Sequence, residues 1–305
     1  MTEQLVVALE NKDAQNDHFF QVDLKSLPYP EGFSPLDYKK DLDKKENEEP
    51  KKDINSNPIT DNLPRMTKEF LKKHCRENKL YATPQLNDIL YLHFKGFGEI
   101  ENLEEYSGLK CLFLEVNGIG RISGLDNQKQ LRCLYLAKNL IKKIENLESN
   151  DLLDSIDLSY NMIQKIENLS CLPNLTKLII SHNKLSDLDD LIHLTECPAL
   201  SVIDIQSNRI EDPSVVEQVF FKCPALRVLY SQGNGFPRKV KNYRKYLISG
   251  IKDLQYLDDR PVFPKDRACA EAFAEGGIEA EKSVREEWNR KEEQKMLDSV
   301  NCKST

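Results

Sequence analysis

The sequence predicts an α/β solenoid: a curved parallel sheet on the concave side, short helices on the convex side, helical caps at both ends and a C-terminal helix. Three observations predict it. A seven-point template of apolar residues and one asparagine recurs every 22 residues through the middle of the chain. That period is too short for arrays of helix pairs, which need more than about 30 residues. On either side of the template lie segments of helical periodicity, able to cover the raw ends that a stacked array exposes.

The first complete unit holds Leu109, Leu112, Leu114, Asn117, Ile119, Ile122 and Leu125. It returns as Leu131, Leu134, Leu136, Asn139, Ile141, Ile144 and Leu147, and again from Leu153 through Asn161 to Leu169. A fourth copy runs from Leu175 through Asn183 to Leu191. The spacing then lengthens: Asn183 to Asn208 is 25 residues, and Asn208 to Asn234 is 26. A degenerate copy precedes them all, with Leu90, Leu92, Phe97, Ile100 and Leu103, and Lys95 where asparagine is expected. About seven units result, well above the three or so that a stacked core requires.

Each position has a mechanical reason. The L-x-L stretch is a short parallel strand whose leucines point inward. The asparagine follows at a bend, where its amide can bond main-chain groups of adjacent turns and build a ladder. The I-x-x-I-x-x-L tail closes the core on the convex side, where apolar residues three apart suit 3₁₀ or α turns. Short helices are expected there, with room for about one more turn in the 25- and 26-residue units. This is the pattern of a leucine-rich-repeat solenoid, placed over residues 87–240.

The N-terminal cap is placed over residues 63–86. Thr67 is an N-cap candidate ahead of a helix through residue 79 whose Phe70, Leu71, His74 and Cys75 share one face. At the other end, residues 241–263 form a second cap, with Tyr243, Leu247, Ile251, Leu254 and Leu257 in a helix and turn over the last unit. Pro264 can open a further helix, and residues 264–305 are rich in helix formers. Gly276-Gly277 interrupts that run. Val284 and Trp288 share a face. The default reading is a charged helix packing back on the array; the sharper one is a partner-binding helix anchored by Trp288, though a lone aromatic does not define an interface.

Residues 1–62 are polar and rich in lysine, glutamate and asparagine, most of all from Lys39 to Lys52. They cannot bury enough apolar surface to offset ordering, and read as a disordered charged arm. A formal net charge of -7 argues against sequence-independent nucleic-acid binding, which needs a basic face. The apolar run Leu5 to Leu9 is too short for a secretory signal, and no stretch is long enough to span a bilayer. An intracellular, soluble protein is expected. Its eight cysteines then read as small hydrophobes, not disulfides, and the sequons at Asn168 and Asn174 carry no meaning.

Nothing in the sequence points to catalysis or to a cofactor. Gly118-Ile119-Gly120 with Gly124 fails the G-x-G-x-x-G pattern and falls where a repeat turns. His18, His74, His93, His182 and His193 sit in no metal-binding spacing. Cys171, Cys197 and Cys223 echo the repeat and read as core. Cys111 and Cys133 share a strand position in adjacent units and read as neighbouring free surface thiols. Asp189-Asp190 and Asp258-Asp259 are acid pairs that nothing marks as perturbed.

The residue between the two inward leucines of each strand faces the concave surface. In order these are Tyr91, Phe113, Tyr135, Asp157, Ile179, Asp204 and Tyr230. With strands about 4.8 Å apart, Tyr91, Phe113 and Tyr135 should form an aromatic stripe, with His93, Glu115 and Lys138 beside it. Exposed aromatics on a curved face point to a protein partner; the bland alternative is that the arm or terminal helix of the same chain covers them. A basic cluster, Arg238, Lys239, Lys241, Arg244 and Lys245, interleaved with Tyr243 and Tyr246, reads by default as a solvated cap face.

Two longer stretches carry a resemblance. One is Leu80 to Asp88 followed by Leu90 to Phe97. The other is Tyr256-Leu257-Asp258-Asp259-Arg260-Pro261-Val262-Phe263-Pro264-Lys265-Asp266-Arg267-Ala268. Both closely resemble the dynein axonemal assembly factor 1 family, and the likeness runs from about Met66 to Val300. The tail Ile-Glu-Asn-Leu at residues 100–103, 144–147 and 166–169 is similar to the short class of leucine-rich repeats. The resemblance implies a non-enzymatic role in preassembling dynein arms in the cytoplasm for motile cilia. Implied partners are axonemal dynein chains or chaperone-type assembly factors, with association with the axoneme and microtubules, and with no nucleic acid and no membrane. Competing readings are a phosphatase regulatory subunit, a structural axonemal subunit and an RNA-associated scaffold. Family members often continue into a long acidic tail, whose role does not carry over to a sequence ending at Thr305.

Overall fold

The computed structural model describes residues 63–302; the expected arm over residues 1–62 lies outside them. Seven three-residue strands stack in sequence order: β1 Ile89–Tyr91, β2 Cys111–Phe113, β3 Cys133–Tyr135, β4 Ser155–Asp157, β5 Lys177–Ile179, β6 Val202–Asp204 and β7 Val228–Tyr230. Each pairs in parallel with the next, in the register that the template dictates, so Leu112 lies beside Leu134 and Leu134 beside Ile156. The central residue of every strand is fully buried: Leu90, Leu112, Leu134, Ile156, Leu178, Ile203 and Leu229. Its two neighbours point the other way, onto the concave face.

The cap adds an eighth strand that the template did not show. The strand β8, Tyr256–Leu257, continues the parallel sheet beside β7, and β9, Arg260–Pro261, closes the edge antiparallel to it. Capping an edge in this way removes an open row of backbone groups that could recruit another chain.

The asparagines form the expected ladder. Asn161 is typical: its Oδ1 accepts from the Ile141 N–H at 3.0 Å, and its Nδ2 donates to the carbonyls of Leu136 at 2.9 Å and Leu158 at 3.0 Å. One amide thus bonds buried main-chain groups of two turns: each carbonyl is shared with the neighbouring ladder asparagine, Asn139 or Asn183, while the Ile141 N–H depends on Asn161 and would be costly to leave unpaired. The pattern survives in the longer units, where Asn208 accepts from Leu185 and Asn234 from Ile210, both at 3.2 Å. The extra residues therefore lie wholly on the convex side. Lys95 replaces asparagine in the first unit; there Asn117 of the next unit accepts from the N–H groups of both Lys95 and Phe97, at 3.1 Å each.

A second ladder explains the Ile-Glu-Asn-Leu tail. Asn102, Asn146 and Asn168 adopt left-handed backbone, with φ of 61°, 59° and 58°. Their amides donate to Met66, Ile122 and Ile144 carbonyls at 2.8, 2.7 and 2.7 Å. Asparagine tolerates this region better than most residues. The intervening unit has Gly124 at the same place with φ of 69°, the residue for which left-handed backbone carries no steric penalty.

Short helices on the convex side are found only in the longer units. Between Leu103 and Leu175 the convex side holds isolated turns, such as Gln128 N–H to Leu125 O at 3.2 Å and Asn150 N–H to Leu147 O at 3.0 Å. A 22-residue circuit leaves too few residues to close a helical turn beyond these. With more chain, 3₁₀ helices appear at Leu188–Asp190 and Ile192–Glu196, and then α2, Val215–Gln218, with a 3₁₀ turn at Phe220–Lys222.

Ahead of the sheet, α1 spans Lys68–Glu77, its first turn capped by Thr67, whose hydroxyl accepts from the Phe70 N–H at 3.1 Å. Leu71, His74 and Cys75 face the core. Between β7 and β8 come α3, Phe236–Lys239, and α4, Tyr243–Gly250, which buries Leu247 and Ile248. The terminal helix α5, Pro264–Cys302, is broken at Gly277, where φ is 70° and ψ is -154°. It doubles back: Lys265 Nζ lies 2.7 Å from Glu292 Oε2, whereas 27 residues of straight helix would span about 40 Å. Arg267 ties its first half to the cap, donating to the Ile248, Ile251 and Leu254 carbonyls at 2.9, 3.3 and 2.7 Å.

Candidate functional site

The repeat places its variable side chains in columns across the concave sheet. The column at the third strand position runs Tyr91, Phe113, Tyr135, Asp157, Ile179, Asp204, Tyr230, each register-paired with the next. Its first three rings stack. Tyr91 and Phe113 have centroids 4.9 Å apart at 22°, and Phe113 and Tyr135 are 4.6 Å apart at 11°. These separations match the strand spacing, so the stack follows the column. None of the three rings belongs to the core; Tyr91 is 40% exposed, and Phe113 and Tyr135 are half-buried. Tyr230 is half-buried at the other end, tilted against Tyr256 at 5.6 Å.

Beside the stripe the structure differs from expectation at one position. His93 and Glu115 flank it, but the next place belongs to Ala137, not to Lys138. Stepping by two from Tyr135 lands on Ala137, and at Lys138 the chain turns through left-handed backbone with φ of 57°. Lys138 joins a further column of such turn residues, Phe94, Val116, Lys138, Tyr160, His182 and Ser207, all with φ between 52° and 57°. There its ammonium lies 5.5 Å from the Tyr160 ring centroid, and Tyr160 stacks on His182 at 4.0 Å. The sequence signal for this second stripe was available: each member immediately precedes a ladder position, and Phe94, Tyr160 and His182 carry rings.

The acids of the concave face are its electrostatic feature. Glu115 is 7% exposed, and its Oε2 has no hydrogen-bond partner. Burial, with the negative charge of Asp157 adding to it, pushes the Glu115 carboxyl up to about 7. Asp157 and Asp204 are also raised, again chiefly by burial. Each accepts one local backbone bond, from Ser159 N–H and Gln206 N–H, both at 2.9 Å. Among the described residues, no lysine or arginine forms an ion pair with any of the three. Burial, and secondarily the charge of Lys95, holds His93 below the usual imidazole range.

Cys111 and Cys133 are register neighbours at the first strand position and half-buried. The neighbouring Cys111 thiol lowers the pKa of Cys133. Cys197 and Cys223 are buried, whereas Cys171 is only half-buried, its thiol donating to the Asn168 carbonyl. Much of the basic cluster is engaged within the chain: Lys239 pairs with Glu211 at 2.8 Å, Lys245 with Glu281, and Arg244 donates to Pro261 O at 2.7 Å. Asp258, from one of the acid pairs, accepts from the Ser231 N–H at 2.7 Å and is a structural anchor.

A family model described as leucine-rich repeat matches residues 126–286. The chain belongs to the leucine-rich-repeat family. Among relatives of this leucine-rich-repeat chain, dynein axonemal assembly factor 1 of Peromyscus polionotus is 68% identical over 244 residues, covering 80% of this chain and 39% of that protein. Dynein axonemal assembly factor 1 of Homo sapiens is 68% identical over 237 residues, covering 78% of this chain and 33% of that protein. The family resemblance read from residues 80–97 and 256–268 is borne out by these matches. The chain spans less than two fifths of the length of these relatives. Among solved structures, an internalin from Listeria monocytogenes is 25% identical with a TM-score of 0.45, covering 53% of this chain and 44% of that one.

Proposed function

We propose that this leucine-rich-repeat chain is a non-enzymatic adaptor in the cytoplasmic preassembly of axonemal dynein arms, holding a client or an assembly factor on its concave face. The observation that carries the reading is the open stack of Tyr91, Phe113 and Tyr135. Three rings stacked on a sheet face, outside the core, are a ready-made anchor for a partner's apolar side chains. The process comes from the relatives, whose names place them in axonemal dynein assembly. Partners are then dynein chains or chaperone-type factors met in the cytoplasm, with the cilium as destination of the assembled product. The basic cluster supports no nucleic-acid role, since Lys239, Arg244 and Lys245 are already engaged internally. No helix among the described residues is long and apolar enough to cross a membrane.

The test is capture from ciliated-cell cytosol by the full chain and by a Tyr91→Ala, Phe113→Ala, Tyr135→Ala variant of equal stability. Recovery of dynein chains or chaperones by the unaltered chain alone is expected. Recovery of a phosphatase catalytic subunit in their place would replace the adaptor reading with a regulatory one. Equal recovery by both would remove the aromatic stripe from the interface.

A further inference from the structure

The stacked column has two breaks. Beyond Tyr135 the next place holds Asp157, too short to continue the stack, and then Ile179; beyond Ile179 comes Asp204, and then Tyr230. Because the Phe113–Tyr135 stack runs along the column, the other face of the Tyr135 ring looks across the Asp157 place. Each break is therefore a notch with a carboxylate at its floor and larger side chains for walls.

Three features say what such a notch takes. The carboxylates lack a cationic partner among the described residues. Lys177, whose charge reaches both Asp157 and Asp204, stays beyond ion-pair distance of either. Two units before the first notch, in the flanking column, buried Glu115 presents a second carboxyl whose Oε2 has no partner and which feels the charge of Asp157. A buried, unsatisfied carboxylate is unfavourable until a donor reaches it. Arginine answers all of this at once: its planar guanidinium lies on an aromatic face while its fork of N–H groups bonds carboxylates.

The spacing selects the backbone that delivers it. Two strand steps separate the notches, about 9.6 Å. In an extended chain, side chains on one face recur at about 6.7 Å, which skips the second notch. On a helix, residues seven apart share a face and are about 10.5 Å apart along the axis.

We propose that the concave face receives a partner helix carrying two arginines seven residues apart, one seated over Asp157 between Tyr135 and Ile179, the other over Asp204 between Ile179 and Tyr230. This deepens the adaptor reading and rests on it. Glu115, beside Phe113 in the flanking column, adds a further acid along the path of the helix, and the Tyr91–Phe113–Tyr135 stack continues the contact with apolar side chains of the same helix.

The experiment is fluorescence anisotropy with a dye-labelled, alanine-rich helical peptide of about 18 residues, long enough to be helical in part, bearing two arginines seven apart. It is titrated with the full chain, and with Asp157→Asn, Asp204→Asn and the double variant, each first shown to unfold at the same urea concentration as the unaltered chain. The expected result is saturable binding, weakened about tenfold by either substitution and further by both. A peptide with the arginines five apart, on opposite helix faces, should bind at least about tenfold more weakly. No binding, equal binding by the double variant, or equal binding of the two peptides overturns the proposal. Capture from cytosol separates the two levels. If the double variant still recovers dynein chains while the triple alanine variant does not, the notch proposal fails and the adaptor reading stands.

Discussion

Replacing Glu115 by glutamine removes a charge from the most buried acid of the concave face while keeping its shape. In the folded chain this carboxyl is pushed up to about 7 by burial and by Asp157; unfolded, it returns to the ordinary glutamate value of 4.5. The sign follows from proton binding. Between those values the folded chain holds a proton that the unfolded chain releases, so this group's contribution to stability falls as pH rises through the window and levels off above about 7. A difference of about 2.5 pKa units corresponds to about 3 kcal/mol. Glutamine does not titrate, so the variant escapes that loss. The assay is urea unfolding of both proteins at about pH 4 and about pH 8. Near pH 4 the two differ only by how well the amide packs. Near pH 8 the variant should have gained about 3 kcal/mol relative to that baseline, since carboxylates not coupled to Glu115 cancel in the comparison and its repulsion with Asp157 is part of the gain. The same variant should bind the two-arginine peptide more weakly, which would make Glu115 a group that lowers stability and serves binding. A stability difference that does not change between the two pH values would refute the reasoning, because the carboxyl would then be as well solvated folded as unfolded.

Other outcomes test the scaffold. Asn161→Ala leaves the Ile141 N–H without its partner, while the Leu136 and Leu158 carbonyls keep Asn139 and Asn183 as donors; a loss of about 2 kcal/mol is expected in urea unfolding, and a loss under about 0.5 kcal/mol would show this rung of the ladder to be dispensable. Gly277→Ala places a side chain where φ is 70° and ψ is -154°, a region essentially reserved for glycine, with a penalty of about 1–3 kcal/mol. Hydrogen exchange should then quicken in residues 278–297 and stay unchanged in the strands; uniform protection would mean that the turn is unstrained. Thr67→Ala removes the first-turn cap of α1 and should lower stability by about 1 kcal/mol, read as faster exchange in Lys68–Glu77.

The aromatic stripe shows what a repeat makes legible. Once the inward leucines are placed, strand alternation puts Tyr91, Phe113 and Tyr135 on the other face, and parallel pairing puts them side by side; the stack at 4.6 to 4.9 Å follows. Lys138 shows where this ends. Alternation fails there because the chain leaves the strand for left-handed backbone, and the lysine moves to the outer column beside Tyr160. The convex side went the same way: apolar residues three apart are compatible with turns and helices alike, and only the length of the circuit decides between them.

By itself the sequence determined the stacked architecture, the register and the ladder, because these depend on local rules repeated every 22 residues: alternation in a strand, and one amide that bonds the neighbouring turn. Only the tertiary structure decided how α5 doubles back at Gly277, how Arg267 locks it to the cap, and that Glu115 is buried without a partner while Asp157 and Asp204 lie in notches. Those outcomes rest on contacts between residues far apart in the chain and on the loss of water around particular groups. Neither quantity is encoded in the spacing of residue types along the sequence.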